Sequence, residues 1–493
     1  MAIVAVSRPA TFQIAAIKLP AFAFGVFIVL VGALHQLRPA LDPDLGWHLR
    51  SGQMILSTHA IPRTDSFSHT FAGAAWVDFE WLWETALAVV YASGGRLAAI
   101  VAVALLTAGI YWLAYATLRL RRVPPILAAF GVGFCSVNLA SYADVRPGIM
   151  GALFAAEFVF VLELARARAN WRWLLLLLPA EALWANMHGS FILGPAICGL
   201  YAVAAAWDQL AGGQPIRHVC RSLLPWGALC AGLVAASLAN PLGTGLLRFT
   251  LSSATLTTNV DYNGEWAAPN FHQAWAMPLL VTTLAALALP LLSRRVRLSR
   301  VEMLLLVCAT ALVLRNSQFV TFYAVAAAPT LATMLNQLLN RPLNFGLSLP
   351  VGLLLGLILV LMGFASVQSL RPEQYDAQLA KRYPVGAVSY IQQNQLGGPM
   401  WNEFDWGCYL ISALPRLLVS IDGRTEMYGD DFFKQYYDVA TGATSPGPVL
   451  DRYGINLALL QQKSAVATLL RADLGWHETY RDDITAIFVR EGA

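Results

Sequence analysis

Eleven apolar stretches, each close to the roughly twenty residues that carry a helix across the hydrocarbon core of a bilayer, leave this chain few possible folds. In hydrocarbon every backbone N–H and C=O must be satisfied within the segment, and for stretches of this length that selects helices. They fall near residues 20–37, 97–118, 124–142, 148–165, 172–187, 190–210, 223–240, 274–293, 300–315, 318–338 and 346–368. Of the 493 residues only 13% are charged, about half the share of an ordinary soluble domain, so lipid is the expected solvent and the bilayer the first partner. A net charge of +4 with no basic run interleaved with aromatics argues against a nucleic-acid partner. Four of the six cysteines (Cys135, Cys198, Cys230 and Cys308) sit in apolar stretches, Cys220 lies near a helix end and Cys408 near the C-terminus. No disulfide framework or Cys-x-x-Cys metal site follows. The first stretch, Ala21 to Leu37, lacks a small-x-small cleavage site and reads as an uncleaved helix.

Sides are assigned by the excess of Lys and Arg in short cytoplasmic loops. With the N-terminus cytoplasmic, Arg119, Arg121 and Arg122, then Arg166, Arg168 and Arg172, then Arg294, Arg295, Arg297 and Arg300 all fall inside. This alternation holds only if Trp76–Ser93, which carries Asp78, Glu80 and Glu84, does not cross; it is expected as an amphipathic helix on the outer interface. An odd number of crossings places the remainder outside. The expected architecture is a polytopic α-helical membrane domain over 1–369, with a first outer loop at 38–96, followed by an extracytoplasmic α/β domain over 370–493. In that domain, helices are expected at 384–393, 408–413, 430–439 and 464–472, and strands at 400–402, 417–421, 455–460 and 484–489. They would form a small, mostly parallel sheet.

On this topology the residues capable of chemistry gather on the outer face. Asp42 and Asp44 are two apart, so in an extended segment both carboxylates point the same way and can share a divalent cation, and either can act as a base toward a hydroxyl. Equally, Asp44 is well placed to cap a helix running from Leu45 to Leu56. His48 follows one turn later. Arg146 and Arg315 sit at outer helix ends, each able to fork onto a phosphate or to anchor the chain beside Asp144 or Glu265. Glu157 and Glu181 are acids in apolar segments, where charge is costly, and Glu181 and His188 are seven apart and expected on one helix face. Trp47, Trp76, Trp81, Trp184 and Trp266 are either sugar platforms or an interfacial aromatic belt. In the C-terminal domain the runs Trp401 to Tyr409 and Ile421 to Gly429 follow expected strands, where α/β sheets place ligands, although the Asp422-Gly423 pair also suits a plain turn.

Asp42-Pro-Asp44-Leu-Gly-Trp47-His48-Leu, Pro62-Arg63-Thr-Asp65-Ser-Phe67-Ser68 and Trp76-Val-Asp78-Phe-Glu80-Trp81-Leu82 resemble the first outer loop of the GT-C superfamily of membrane glycosyltransferases. They are more closely similar to a bacterial GT-C-like group. Arg146-Pro147, Trp184-Ala-Asn186-Met-His188-Gly189, Asn402 to Tyr409 and Asp422-Gly423-Arg424 extend the likeness over nearly the whole chain. The resemblance implies a donor sugar linked to a polyprenyl phosphate and an address in the bacterial inner membrane. It implies an envelope glycan, lipid or protein as acceptor. It also implies that Asp42 or Asp44 is the catalytic base. His48, Glu80, Asp144, Arg146, Asn186, His188, Glu265 and Arg315 are then expected to bind donor or acceptor, with the departing phosphate stabilised by Arg146, Arg315 or a Mg2+ or Mn2+ ion on Asp42 and Asp44. Phosphate leaves readily, so no separate general acid is expected. The competing classes are a transporter or flippase, with Glu157 and Glu181 as proton relays, and a non-catalytic envelope assembly protein.

Overall fold

The computed structural model describes residues 21–140, 142–253, 266–327, 329–339 and 349–492. The chain opens with helices α1 (Ala21–Gln36), α2 (Leu45–Thr58), α3 (Trp81–Leu120), α4 (Pro125–Leu139) and α5 (Gly148–Arg168). Among the described residues, five helices are long and apolar enough to cross a membrane. These are α3, α5, Gly189–Ala211, Ile216–Ser237 and Ala274–Leu292. Two bent pairs, Ser317–Ala326 with Thr330–Leu339 and Leu353–Ser369 with Pro372–Arg382, raise the number to as many as seven. The remaining apolar stretches form shorter helices, and the one expected at 172–187 is divided into a 3-10 turn, Trp171–Leu176, and a short helix, Leu177–Trp184.

Trp76–Ser93 departs from the expected amphipathic surface helix. Residues 76–80 are not helical, α3 begins at Trp81, and the helix breaks at Gly94 and Gly95, where Gly95 takes a φ of 62° that residues with a Cβ seldom adopt. The break separates a first segment from the long apolar one. That first segment turns Glu84 inward onto α2, and with Asp78 and Glu80 the acids are buried instead of facing water. At the charged ends of the helices, Arg121 pairs with Glu163 (3.0 Å) and Glu302 (3.5 Å), while the Tyr201 hydroxyl donates to Glu163. This network ties α3 and α5 to Leu193–Ala211 and Arg300–Arg315.

The C-terminal region carries a four-stranded sheet of β1 (Met400–Asn402), β2 (Leu457–Gln461), β3 (Trp476–Arg481) and β4 (Thr485–Arg490) in the order β1-β2-β4-β3. Only β1 and β2 are parallel; the other pairs are antiparallel, so the sheet is mixed and not mostly parallel. β3 escaped sequence reading because it is a polar edge strand on which only Trp476 is buried. Two helices also start earlier than expected, at Phe404 and Thr425. The segment expected as a strand at 417–421 joins no sheet. Instead Val419 forms a bridge to the first outer loop, accepting from the His69 N–H and donating to the Phe67 carbonyl.

That bridge belongs to an extensive union. Trp47, Phe67 and Trp76 share one apolar core with Trp406, Leu410 and Val419. Arg424 of the C-terminal domain lies buried over the Phe67 and Trp76 rings, forks onto Asp422 and reaches Asp65 at 2.8 Å. Tyr375 and Tyr383 donate to the Ala40 and Leu41 carbonyls just before the Asp42 turn. The first outer loop and the C-terminal domain are therefore packed as one unit, and that packing positions α2.

Candidate active site

Asp42-Pro43-Asp44 is not extended. It forms a turn into α2 in which Asp42 Oδ1 accepts the Asp44 N–H at 3.0 Å. The two carboxylates consequently diverge. Asp42 Oδ2 lies 3.3 Å from Arg146 Nη1, whereas Asp44 Oδ1 accepts from the Trp47 indole N–H and the Cys408 thiol, each at 3.2 Å. Asp44 does occupy the N-cap position of α2, but its side chain caps nothing there; its carboxylate is directed to the C-terminal domain. Gly423 packs so closely that a Cβ at that position would stand 2.4 Å from Asp44 Oδ1.

One turn into α2, His48 is buried against α3. Its Nδ1 lies 3.0 Å from Glu84 Oε1 and its Nε2 3.9 Å from Glu80 Oε2. The other Glu80 oxygen lies 3.8 Å from His188 Nε2, and His188 Nδ1 pairs with the Ser190 hydroxyl at 2.6 Å. Acid and imidazole thus alternate from Glu84 through His48 and Glu80 to His188. Burial, reinforced by Arg146, holds the His48 imidazolium well below its usual range, and the same causes bring His188 down to about 4. Both rings are therefore neutral at pH 7. Burial drives the Glu80 carboxyl well above the usual carboxylate range, helped by the charges of Glu426, Asp78 and Asp44 and opposed by Arg146. Burial likewise pushes Asp78 up to about 6.

The other expected site residues divide. Asp144 is half-buried and accepts the Val145 N–H, with Arg38, Arg146 and Arg382 acting on it, and desolvation raises its carboxyl. Asn186 is a clamp: its oxygen accepts the Trp81 indole N–H while its amide donates to the Ala182 and Ala239 carbonyls, so its hydrogen bonds are spent on structure. Arg315 is exposed at the end of its helix, and among the described residues no hydrogen bond or ion pair joins it to the cluster. Glu265 lies outside the described residues. Glu181 and His188 do not share a helix, because Leu177–Trp184 ends before His188, which is extended. Trp184 is fully buried between Phe154 and Phe158, and Trp47 and Trp76 are buried too, so none of these three is a belt residue or a sugar platform. The Asp422–Arg424 pair is closed on itself by Tyr428 and Asp65 and serves the fold.

Sequence reading did not assign Cys408, Gly423 and Glu426, which the C-terminal domain brings against Asp44. The density of polar and aromatic residues in their two runs was the available signal; their contact across more than 360 positions was not. Among the described residues no group of three or more His, Cys, Asp or Glu side chains is arranged to hold an ion, and Asp42 and Asp44 are turned to different partners. What the site does offer is a half-buried carboxylate, Asp44, held by the C-terminal domain, and a buried one, Asp42, paired with the Arg146 guanidinium.

A bundle of apolar helices, a first loop of Asp-Pro-Asp type folded against a C-terminal domain, and acids gathered at their junction make up a helical membrane-type fold that solved structures share, two of them as follows. The oligosaccharyltransferase AglB of Archaeoglobus fulgidus, in complex with an inhibitory peptide and a dolichol-phosphate, matches 95% of this chain and 74% of its own at a TM-score of 0.56 and 10% identity. ArnT of Cupriavidus metallidurans, bound to undecaprenyl phosphate, matches 96% of this chain and 98% of its own at a TM-score of 0.51 and 13% identity. No family model and no curated protein matches the sequence.

Proposed function

We propose that this protein is a membrane glycosyltransferase that moves a sugar from a polyprenyl-phosphate donor to an envelope glycan, lipid or protein on the outer membrane face, with an acid of the first outer loop as base. The reading includes eleven crossings, with the N-terminus cytoplasmic and residues 370–493 extracytoplasmic. The observation that carries it is the convergence of Asp42, Asp44, His48, Glu80, Arg146 and His188, drawn from four separate stretches of chain, onto one junction beside the C-terminal domain. Two neighbours of this fold hold lipid phosphates, dolichol-phosphate in AglB and undecaprenyl phosphate in ArnT.

The geometry favours Asp44 over Asp42 as the base. Asp42 is buried and ion-paired with Arg146, so its charge is committed to orienting that guanidinium. Asp44 is half-buried, and two donors fix its Oδ1, setting the direction of the carboxylate. Asp44 removes the proton of the acceptor hydroxyl as its oxygen bonds to the anomeric carbon, and the bond from that carbon to the phosphate oxygen breaks with inversion. Arg146 faces the departing lipid phosphate, where its charge is worth most as negative charge develops.

The test is transfer of radiolabelled sugar from polyprenyl-phosphate donors by the purified protein in liposomes. Asp44→Asn should lower the rate by about 10²- to 10⁴-fold, the range for loss of a general base. Asp42→Asn should act chiefly through Arg146, raising the donor KM. Parallel reactions with EDTA report whether a divalent cation takes part. Wild-type rates in both variants would remove the assigned base, and no transfer from any donor would favour a transporter or assembly protein.

A further inference from the structure

α2 has a second face that the proposed chemistry does not use. One side of the helix packs on α3 through His48 and Gly52, so closely that a Cβ on Gly52 would stand 2.0 Å from the Glu84 carbonyl oxygen. The opposite side carries Arg50, Gln53, Met54 and Ser57 at helical spacings of three and four, and these line a cavity of about 460 Å³. Ile411, Leu417 and Leu418 of the C-terminal domain form the facing wall. Ser66 and Phe67 close the cavity beside the bridge in which the Val419 N–H donates to the Phe67 carbonyl at 3.0 Å. It therefore exists only where the first outer loop and the C-terminal domain meet, and its size falls in the range of small-ligand sites, roughly 300–1,000 Å³.

The two walls differ in chemistry. Arg50 is the one charged residue among those lining the cavity, and no hydrogen bond or ion pair among the described residues engages its guanidinium. The Ser57 hydroxyl donates to the Met54 carbonyl at 3.0 Å and the Ser66 hydroxyl to the Met54 sulfur at 3.9 Å, so both oxygens face a ligand as acceptors. A ligand that complements this lining presents hydroxyl donors to the serines and the Gln53 amide, a C–H face to Phe67 and the leucines, and an oxyanion to the fork of Arg50. An acidic sugar has all three. No lining residue belongs to one of the five helices long and apolar enough to cross a membrane, so the cavity is not walled for a lipid tail. We propose that it binds a sugar residue carrying a carboxylate or phosphate, with Arg50 on the oxyanion, and that the acceptor is accordingly an acidic glycan. The word acceptor rests on the glycosyltransferase reading; the binding of the sugar does not. Arg50 stands six residues after Asp44, about 9 Å along the axis of α2, so the cavity holds a sugar unit remote from the reacting hydroxyl.

The experiment measures dissociation constants for the full-length protein in nanodiscs, by calorimetry, with digalacturonate, digalactose, digalactose carrying a 6-phosphate, and triaspartate. The uronate and phosphate arms separate the two oxyanions. The preferred acidic disaccharide should bind about 10- to 100-fold more tightly than digalactose, the range for a hydrogen bond to a charged group, and salt should narrow that difference. Arg50→Ala should lose the same factor toward the acidic sugar while binding digalactose as the wild type does, and Arg50→Lys, which keeps the charge without the fork, should fall between. Leu418→Trp, which fills the cavity from the C-terminal side, should weaken acidic and neutral disaccharides alike, and melting of each variant verifies that it is folded. Equal affinity for acidic and neutral disaccharides, or an Arg50→Ala protein that binds the acidic sugar as tightly as wild type, overturns the site. Tighter binding of triaspartate than of any sugar overturns the assignment to a glycan. Binding that meets these terms in a protein that transfers no sugar from any polyprenyl-phosphate donor upholds the site and overturns the glycosyltransferase reading.

Discussion

Replacing Gly423 with alanine tests whether the C-terminal domain sets the aim of Asp44. The added Cβ would stand 2.4 Å from Asp44 Oδ1 and 2.9 Å from Cys408 Sγ. Non-bonded heavy atoms settle at about 3.5 Å or beyond, so one partner must move by about 1 Å. Backbone movement is resisted, because Asp422 is locked by Arg424 and the Gly423 N–H donates to Cys408 Sγ at 2.9 Å. The Asp44 carboxylate is the end of a side chain and gives way more easily, at the expense of its bonds to Trp47 and Cys408. A displacement of that size from reacting geometry lowers a rate by about 10²-fold, whereas overpacking of this kind costs about 1–3 kcal/mol of stability. Initial rates of labelled-sugar transfer, measured beside thermal melting, should show a rate loss much larger than the shift in melting warrants. A folded Gly423→Ala protein turning over at the wild-type rate would refute the idea that contact with the C-terminal domain places Asp44.

Three further outcomes follow from the same contacts. Arg424→Met should destabilise the protein by about 3–5 kcal/mol, since it strands the buried carboxylates of Asp422 and Asp65, and limited proteolysis should then cut the 63–76 loop. Acid should loosen the same junction: Arg424 and Tyr428 hold the Asp422 carboxyl below its ordinary value despite burial. The stabilisation is therefore fully present above the unfolded value near pH 4 and is lost as pH falls through the lower folded value, which melting between about pH 5 and 2 would record. Asn186→Ala should cost about 1–3 kcal/mol by leaving the Trp81 indole and two carbonyls unpaired, with little change in donor KM in the folded fraction; a large KM change would return Asn186 to the binding site.

The sequence by itself determined the solvent, the element type and where ionisable residues gather. Long apolar stretches have few solutions in lipid, and the positions of Asp42, Asp44, Glu80, Arg146 and His188 at the ends of such stretches marked the junction the structure assembles. Local pattern also found β1, β2 and β4, whose strands are apolar and short. The tertiary structure decided what each polar group does, because a side chain's role depends on partners far away in the chain. Spacing suggested a shared face for Asp42 and Asp44, yet the turn at Pro43 sends one to Arg146 and the other to Cys408. The Lys and Arg alternation placed Glu80 and Glu84 on an interfacial helix, yet α2 covers them with His48 and makes buried acids of them. Asn186 and Arg424 looked like ligand contacts, and long-range packing made them clamps. Helical and strand propensities are properties of neighbouring residues and can be read in order. The aim and charge of a carboxyl are set by burial and by opposing groups, and those exist only once the first outer loop and the C-terminal domain have closed on each other.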